Sequence, residues 1–430
     1  MRSKLSREKF VQMRKLAWLG MLTFMTGCQI AQAQEALTFK SLLDQANANY
    51  PALRSVRLEK RAAMEELEAS RRLYWPNISA VTESTSNKNS GPAPSSSLQL
   101  EQTLWDAGSI KARVAESKSV ADIQTLKAAL LQEEVHLQLA NAWQNLVAST
   151  ERMDVAQRTM EHLKIYQQQM QRRVEAGASP RIDLELANSR ILQTQVENKS
   201  AQSNLQLAIS RIEQYTGRND VAAQHAKNAL QLTLFVPKNF EQMLTGADWQ
   251  AVIENHPAIG KAKAETAQSQ ARLEQKKAET WPQLYARISQ PLNNVAPGYT
   301  QGPTAFVGLR YTTSAGFANH LQARALASRV ASTEEMVQAA VTDLRQTIVV
   351  DQNEYFNATS RIHALEQSVR GSDQVLVSYQ RQFQAGKKTW QDLLNAVREF
   401  AQNQYALADA RASMQGAFYR IQIRTGQDVQ

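Results

Sequence analysis

The sequence predicts a mainly α-helical protein with a small β part, in which a unit of long helices and one β-hairpin occurs twice. Gly and Pro are scarce, with 16 and 11 among 430 residues, which favours long uninterrupted helices. A set of short motifs recurs in the same order at offsets of 206 to 209 residues. Two pairs of short segments alternate between apolar and polar residues around turn-rich sequence, which indicates two hairpins.

The duplication is the strongest signal in the sequence. The recurring motifs are Asn49-Tyr50-Pro51 and Asn255-His256-Pro257, Trp75-Pro76 and Trp281-Pro282, Gly108 and Gly316, Ala176-Gly177 with Asp183-Leu184 and Ala385-Gly386 with Asp392-Leu393, and Thr216-Gly217 and Thr425-Gly426. Chance rarely preserves so many landmarks in order. The chain is therefore expected to divide into a signal peptide (1–33), a first structural repeat (34–217), a linker (218–247) and a second structural repeat (248–430).

Residues 1–33 have the composition of an export signal. Basic residues precede an apolar run that ends at Met25, and Ala31-Gln32-Ala33 supplies the small residues that a signal peptidase accepts. The run is too short to span a bilayer as a helix. Both Met1 and Met13 are compatible with the start of translation, because Met13 is followed by its own pair of basic residues.

Cys28 leaves two fates open for the processed chain. The sequence around it, Met25-Thr26-Gly27-Cys28, resembles a bacterial lipobox, so lipidation at Cys28 competes with cleavage after Ala33. The sequence has one cysteine, and its removal with the signal would exclude disulfides and cysteine catalysis. The formal net charge of +9 falls to about +4 without the signal, which does not favour a nucleic-acid partner.

Each repeat is predicted to open with a helix that runs to the repeated Trp-Pro pair. Asn49 and Asn255 are the expected N-caps. Pro51 and Pro257 then occupy the first helical position, where the N–H that proline lacks has no intrahelical partner.

A β-hairpin is predicted in each repeat, within residues 77–105 and 283–313. Four strands cannot close a membrane barrel, but three chains with four strands each would supply twelve, within the range of such barrels. The aromatic residues near the strand ends are Tyr74, Trp75, Trp105, Trp281, Tyr285 and Tyr311. They fit an interfacial girdle, and packing at the helix–strand joint is an equal alternative for Trp75 and Trp281.

Two proline-free stretches follow the hairpins, from Gly108 to Gly177 and from Gly316 to Gly386. Each would form one helix of ~100 Å at 1.5 Å per residue, which exceeds the size of a compact domain. Small residues occupy positions where a coiled coil has Leu, so these helices are expected to pack on both sides within a sheet of helices. The glycine at the end of each then reverses the chain into a return helix.

Several segments carry a family resemblance. With the duplicated Asn-x-Pro motifs, the segments Ser97–Asp106, Arg172–Leu184 and Arg381–Leu393 resemble the TolC family of outer-membrane efflux proteins, and the resemblance covers essentially the whole mature chain. It implies a homotrimer whose twelve-stranded β-barrel lies in the outer membrane of a Gram-negative bacterium. A twelve-helix α-barrel would continue it across the periplasm, with residues 218–247, including Phe235, in an equatorial belt.

The resemblance also implies the partners. A channel of this kind works with a periplasmic adaptor (membrane fusion) protein and with an inner-membrane ABC transporter or proton-driven pump, and its barrel contacts outer-membrane lipid. It would be a passive duct, not an enzyme, without a metal or other cofactor. The residues agree, because the six His residues lack ligand spacing and no Ser/His/Asp set stands in a motif. Arg381 stands where a phosphate-binding loop before Gly386 would need Gly.

By the same resemblance, the two glycine turns form the periplasmic tips that contact the adaptor and close the channel. The adaptor-binding residues would be Ala176, Gly177, Ala178, Ala385, Gly386 and Lys387. The channel constriction would be formed by Asp392, Asn395, Asp183 and Lys388. Relatives carry carboxylates six and nine residues after the second glycine, and Asn395 replaces one of them, so weaker cation selectivity is expected. Lys388 stands where relatives often have an Arg that latches the tip.

Two features of the tip leave alternatives open. Asp183 and Asp392 are expected in the first turn of the return helices, where a carboxylate meets the positive end of the helix, so a structural role explains them as well as a constriction does. Phe383 stands where some relatives have a Tyr whose hydroxyl reaches the Asp of the first repeat. Because Phe has no hydroxyl, we expect a resting aperture that fewer polar links hold closed.

The sequence of the second tip predicts the kind of cargo. Residues 386–399 resemble a branch of the family that serves type I secretion of large repetitive adhesins, so export of a protein is preferred. The first alternative is the outer-membrane component of a multidrug efflux pump. An alternative of another class is a soluble periplasmic coiled-coil adaptor, against which the two alternating hairpins argue.

Overall fold

The computed structural model describes residues 37–87, 90–227, 230, 232, 236–237, 239–292, 302–312 and 318–426. The predicted signal peptide with Cys28 lies outside the described residues, and so do Phe235 of the linker and Gly316. In the ranges that are described, long helices dominate and the strands belong to two hairpins. The predicted mainly α fold with a small β part is confirmed.

The first repeat begins with two consecutive helices and ends with the long helix and its return helix. Its elements are α1 (Phe39–Asn49), α2 (Pro51–Arg71), β1 (Asn77–Asn87), β2 (Ser90–Trp105), α3 (Ser109–Glu175) and α4 (Arg181–Thr216). A short 3-10 turn, Arg72–Tyr74, joins α2 to the hairpin. With 67 residues, α3 reaches ~100 Å at 1.5 Å per residue.

Short helices of the linker lead into the second repeat. The elements are α5 (Val221–Ala226) and α6 (Phe240–Gly246), followed by α7 (Trp249–Asn255), α8 (Pro257–Ala278), β3 (Gln283–Pro291), β4 (Thr304–Arg310), α9 (Ala318–Gln384) and α10 (Trp390–Thr425). The copies match in length, because α3 and α9 have 67 residues each and α4 and α10 have 36 each. The repeat in the sequence is therefore a repeat of structure.

The predicted N-caps are wrong by one residue. Tyr50 and His256 hold the extended N-cap conformation, with ψ of 121° and 139°. Asn49 and Asn255 instead end the short helices α1 and α7. A residue directly before Pro is pushed to extended backbone, so the cap has to be the residue that precedes each proline. The Asn49 amide donates to the carbonyl oxygen of Thr216 at 3.0 Å and so ties α1 to the end of α4.

The four strands form one antiparallel sheet in the order β1-β2-β3-β4, so the two hairpins pair with each other through β2 and β3. The register sets Leu100 opposite both Ile78 and Ile288, and Val307 opposite Ala286. One face of the sheet is therefore apolar and the other is mainly polar. Within the described strands, β1 and β4 each pair on one side, which leaves the sheet with two free edges.

The long helices pack side by side instead of around one thick core. α3 contacts α2, α4, α8 and α10, and α9 contacts α8 and α10. The largest buried cluster lies near the middle of α3, where α1 and α6 cover the helices, and includes Phe39, Leu139, Trp143, Leu146, Phe240 and Phe418. A second cluster lies beneath the glycine turns. None of the helices in the described ranges has a stretch long and apolar enough to cross a membrane.

Candidate functional site

The two glycine turns are built alike. Gly177 follows the end of α3 and Gly386 follows the end of α9, with φ of +69° and +72°, a conformation that glycine adopts without a steric penalty. In the first turn the N–H of Ala178 donates to the carbonyl oxygen of Arg173 at 2.8 Å, and Lys387 makes the equivalent bond in the second. This pattern satisfies the last carbonyl groups of each helix as a Schellman motif.

The residues predicted to bind the adaptor lie at the exposed ends of these turns. They are Ala176, Gly177, Ala178, Ala385, Gly386 and Lys387. A Cβ added at either glycine would meet no atom within 4 Å. The turns therefore project into open space in the single chain, and their contact with an adaptor stays a prediction.

An aromatic residue at the start of α10 joins the two tips. Trp390 is 5% exposed and donates its indole N–H to the main-chain carbonyl oxygen of Asp183 at 2.8 Å. Its ring packs against Tyr166 and Phe383, with ring centroids 6.4 Å and 5.4 Å away. The guanidinium of Arg173 lies 5.2 Å from the centre of the Phe383 ring. Side chains of the second tip are therefore held by the first repeat.

Near the tip, α10 contributes apolar side chains to a buried cluster shared with the neighbouring helices. The buried residues beneath the turns are Leu163, Tyr166, Met170, Ala187, Ile191, Leu376, Trp390, Leu393, Leu394, Ala396 and Val397. Asp392 and Asn395 are three residues apart, so they share one side of the helix, and both are half-buried. They flank this cluster without belonging to it.

Asp392 has a structural role at the helix start. Its N–H donates to the Thr389 hydroxyl oxygen at 3.1 Å, and its carboxylate accepts from the Thr389 N–H at 3.1 Å, so the two residues form a capping box. Hydrogen bonds from the Thr389 side chain and backbone, together with the charge of Lys388, hold the pKa of Asp392 below its usual range. The carboxyl group therefore stays ionised, and the structural role does not remove its charge from the tip.

The two other predicted constriction residues lie nearby. Asp183 occupies the first turn of α4 and gives its backbone carbonyl to Trp390. The Lys388 ammonium lies 4.3 Å from the centre of the Tyr379 ring, which belongs to the same repeat. Among the contacts of the described residues, Trp390 and Asp183 thus form a hydrogen bond between the tips, whereas Lys388 packs on a ring of its own repeat.

Sequence reasoning missed a buried charge network near the end of α10. Arg420 donates to Asp351 at 2.8 Å and to Glu354 at 2.7 Å, and Arg424 donates to the second carboxylate oxygen of Asp351 at 2.8 Å. Arg424 also lies 3.4 Å from Glu133 of the first repeat. The partners are at least 66 residues apart along the chain, so no local spacing signals the network.

The side chains in the part of the chain that the structure describes do not form a metal site. In those ranges no group of three or more His, Cys, Asp or Glu residues could hold a metal ion. A cavity of about 380 Å³ lies between α3, α4 and α10, and Arg152 on its wall pairs with Asp409 at 2.8 Å and with Glu197 at 3.4 Å. Burial raises the pKa of Tyr405 in this wall to about 12, so the phenol remains neutral.

The fold has counterparts among known proteins. The chain matches the family described as outer membrane efflux protein over residues 42–218 and 249–427. It is 21% identical to the outer membrane protein TolC of Escherichia coli (strain K12) over 400 residues, which cover 88% of this chain and 80% of TolC. A membrane protein from Pseudomonas aeruginosa superposes with a TM-score of 0.79 at 17% identity, covering 92% of this chain and 91% of that one. The outer membrane protein VceC from Vibrio cholerae gives 0.78 at 13% identity, covering 90% and 96%.

Duplicated long helices, a four-stranded sheet and paired glycine tips define a class of outer-membrane channel with a helical extension. The chain belongs to the outer membrane efflux protein family, whose model matches one segment for each repeat. The predicted family and the predicted location in the outer membrane are confirmed. The protein is an outer-membrane efflux channel, and its family and fold are those of channel proteins.

Proposed function

We propose that the protein is the outer-membrane duct of a tripartite export system, that it works as a homotrimer, and that it exports a protein, a large adhesin, by type I secretion. The observation that carries the duct is the four-stranded sheet with two free edges and one apolar face. Three such sheets joined edge to edge would close a twelve-stranded barrel. Closure also removes the free edges, which otherwise invite pairing with other chains.

The apolar face of the sheet supports contact with lipid. Val307 and Ile78 are 72% and 69% exposed in the single chain, and Leu98, Ile288 and Leu309 of the same face are exposed as well. A soluble protein rarely leaves so many large apolar side chains uncovered on one surface. In a barrel these side chains face the hydrocarbon, and the polar face lines the channel.

The helical part supports a gated duct. In a trimer, α3, α4, α9 and α10 of each chain supply the twelve helices of an α-barrel. Asp392 and Asn395 would then form rings around the aperture, with Asp183 and Lys388 beside them, because both keep partly exposed polar side chains next to the buried cluster. The exposed glycine turns would bind a periplasmic adaptor that connects to an inner-membrane ABC transporter or proton-driven pump.

The choice of a protein cargo rests on the sequence of the second tip, residues 386–399. Deleting the gene in its host and analysing both the cell surface and the medium tests it. We expect the loss of one large surface protein, restored by the wild-type gene, with unchanged resistance to antibiotics. Drug hypersensitivity with unchanged protein secretion would instead make the channel part of a multidrug efflux pump.

The same strain tests the duct itself. Membrane fractionation should recover the protein in the outer membrane as a heat-modifiable trimer. Recovery from the soluble periplasmic fraction as a single chain would favour the adaptor alternative and contradict the proposal.

A further inference from the structure

A charged cluster lies on the polar face of the sheet, close to the ends of the strands that join the helices. Glu101 of β2 stands directly opposite Arg287 of β3 and accepts from its Nε at 2.9 Å. Arg310 at the end of β4 donates from Nη2 to the other carboxylate oxygen of Glu101 at 3.2 Å. One carboxylate therefore meets two guanidinium groups, and each chain carries one excess positive charge at this place.

An aromatic ring orders the two guanidinium groups. The centre of the Tyr285 ring lies 5.4 Å from the Arg287 guanidinium and 4.6 Å from that of Arg310. The ring crosses over Gly308 of the neighbouring strand, where an added Cβ would stand 2.6 Å from a ring carbon. A larger residue in place of Gly308 would force this ring to move. The cluster is thus a built arrangement and not a set of free surface side chains.

The alternation of side chains along the strands shows which face of the sheet carries the cluster. Arg310 is one residue from Leu309 and three from Val307, so it points to the face opposite these two exposed apolar side chains. Arg287 lies opposite Glu101 in the register and shares the face of Glu101. If the apolar face meets lipid, as in the proposed function on which this inference rests, the cluster lines the interior of the barrel.

The positive charge is local. Toward the far end of the strands, the nearest carboxylate on the same face is that of Glu83 in β1. Glu83 shares the face of Glu101 because Asn77 pairs with Glu101 and Glu83 follows Asn77 by an even number of residues. That distance along the strand is ~20 Å at 3.3 Å per residue. It exceeds the screening length of about 8 Å at physiological ionic strength, so Glu83 does not neutralise the cluster.

We propose that three copies of this cluster form a positively charged ring inside the barrel, and that the ring binds acidic segments of the exported polypeptide. Arg287 and Arg310 keep partly exposed guanidinium groups that can bind carboxylates through charge-assisted hydrogen bonds. The ring lies beyond the ~100 Å helices from the tip, so it is distinct from the carboxylates of the constriction. A polypeptide that leaves the periplasm meets it last.

Block of the channel current by charged peptides tests the ring. The purified wild-type trimer in a planar bilayer is exposed to poly-L-glutamate from the barrel side, which reaches the ring without crossing the tip. We expect block by poly-L-glutamate at concentrations at which poly-L-lysine has no effect. Arg310→Gln and Arg287→Gln should each raise the blocking concentration about ten-fold, because each leaves Glu101 with one partner and no excess charge.

Glu101→Gln should have the opposite effect on the block. It adds an excess positive charge to the cluster, so it should lower the blocking concentration. Arg57→Gln removes an equal charge from an exposed position of α2, ~21 Å of helix before its end, and should leave the block unchanged. Each variant is first shown to form the heat-modifiable trimer.

Equal block by both peptides, or block that none of the cluster variants alters, would overturn the ring while leaving the duct intact. A wild-type trimer that never conducts would instead reject the proposed duct and the ring with it.

Discussion

Trp390 donates its indole N–H to the backbone carbonyl oxygen of Asp183, so the first turn of the second return helix is bonded to the first turn of the first one. The sequence suggests a weakly linked tip because Phe383 lacks the hydroxyl of some relatives. The structure supplies a link of a different kind, from an indole to a main-chain oxygen, and the tilted ring of Phe383 packs against Trp390 beside it. This bond is independent of the side chain at position 183.

Trp390→Phe should loosen the tip while keeping an aromatic ring in the cluster. The variant removes one hydrogen bond, whose net contribution is about 1 kcal/mol. We expect a larger or more frequently fluctuating single-channel conductance, with the trimer still assembled. Trp249→Phe serves as the matched control, because it removes an equivalent indole hydrogen bond, to the carbonyl oxygen of Leu244 at 3.0 Å, away from the tip.

Trp390→Ala should have a stronger effect, since truncation of a buried Trp costs about 3–5 kcal/mol. A Phe variant that conducts like the wild type, beside an Ala variant with the expected loss, would show that packing alone joins the tips.

Thr389→Val should change the pH dependence of the channel. The variant removes the hydroxyl that bonds Asp392, and the pKa of Asp392 should rise toward its ordinary value. Cation preference, measured from reversal potentials, should therefore disappear at a higher pH in the variant than in the wild type. Thr389→Ser keeps the hydroxyl and should behave like the wild type; a shift of the same size in the Ser variant would contradict this account.

The same capping box predicts how the stability of the start of α10 changes with pH. The folded pKa of Asp392 lies below its unfolded value, so its stabilising contribution is fully present above an unfolded pKa of about 3.9 and is lost as pH falls through the folded pKa. Amide hydrogen exchange at the start of α10 should therefore stay slow from neutral pH down to about pH 4 and accelerate below it, after correction for intrinsic rates. Acceleration that begins near pH 6 would point to another group.

Substituting the glycine of either turn should destabilise the tip because of its backbone conformation. Gly177→Ala and Gly386→Ala place a Cβ in a left-handed conformation, at a cost of about 1–2 kcal/mol, although no neighbouring atom is in the way. Proteolysis at the tips should accelerate while the trimer persists. Gly371→Ala, in the interior of α9 and also without a close neighbour, should instead stabilise its helix by up to about 1 kcal/mol. Tips that tolerate alanine as Gly371 does would refute the strain argument.

The buried charge network should contribute more to the stability of the trimer than an exposed ion pair of the same helix does. Arg420→Met leaves the buried Asp351 with one partner, and breaking such an interaction costs about 3–5 kcal/mol. The temperature at which the trimer dissociates should fall clearly. Arg411→Met breaks an exposed pair with Glu366 and should cost less than about 1 kcal/mol. Similar temperatures for the two variants would mean that the network contributes little.

The sequence predicts the duplicated helices well because their signals are local and periodic. Two proline-free stretches, each ended by a glycine, predict α3 and α9, and alternation in the hairpin segments predicts strands. The N-cap prediction fails because the Asn-x-Pro motif does not reveal the short helices that precede it. α1 and α7 end at Asn49 and Asn255, and the next residue becomes the N-cap.

The contacts that join distant parts of the chain are hidden from local reasoning. Asp183 and Trp390 are 207 residues apart, and Asp351 reaches Arg420 across 69 residues. The Glu101–Arg310 bond likewise links the two hairpins through a register that no single segment reveals. At the tip, residue types predict the turns and the position of Asp392, whereas the partner of each side chain follows from the packing of α4 against α10.

The central claim is that three chains join their sheets into one barrel that continues into a helical duct. Recording from the purified, detergent-extracted trimer in a planar bilayer tests it most directly. We predict discrete single-channel steps whose frequency follows the amount of intact trimer and which disappear when the sample is heated to single chains. A preparation that stays a water-soluble monomer and produces no current at any concentration would contradict the claim.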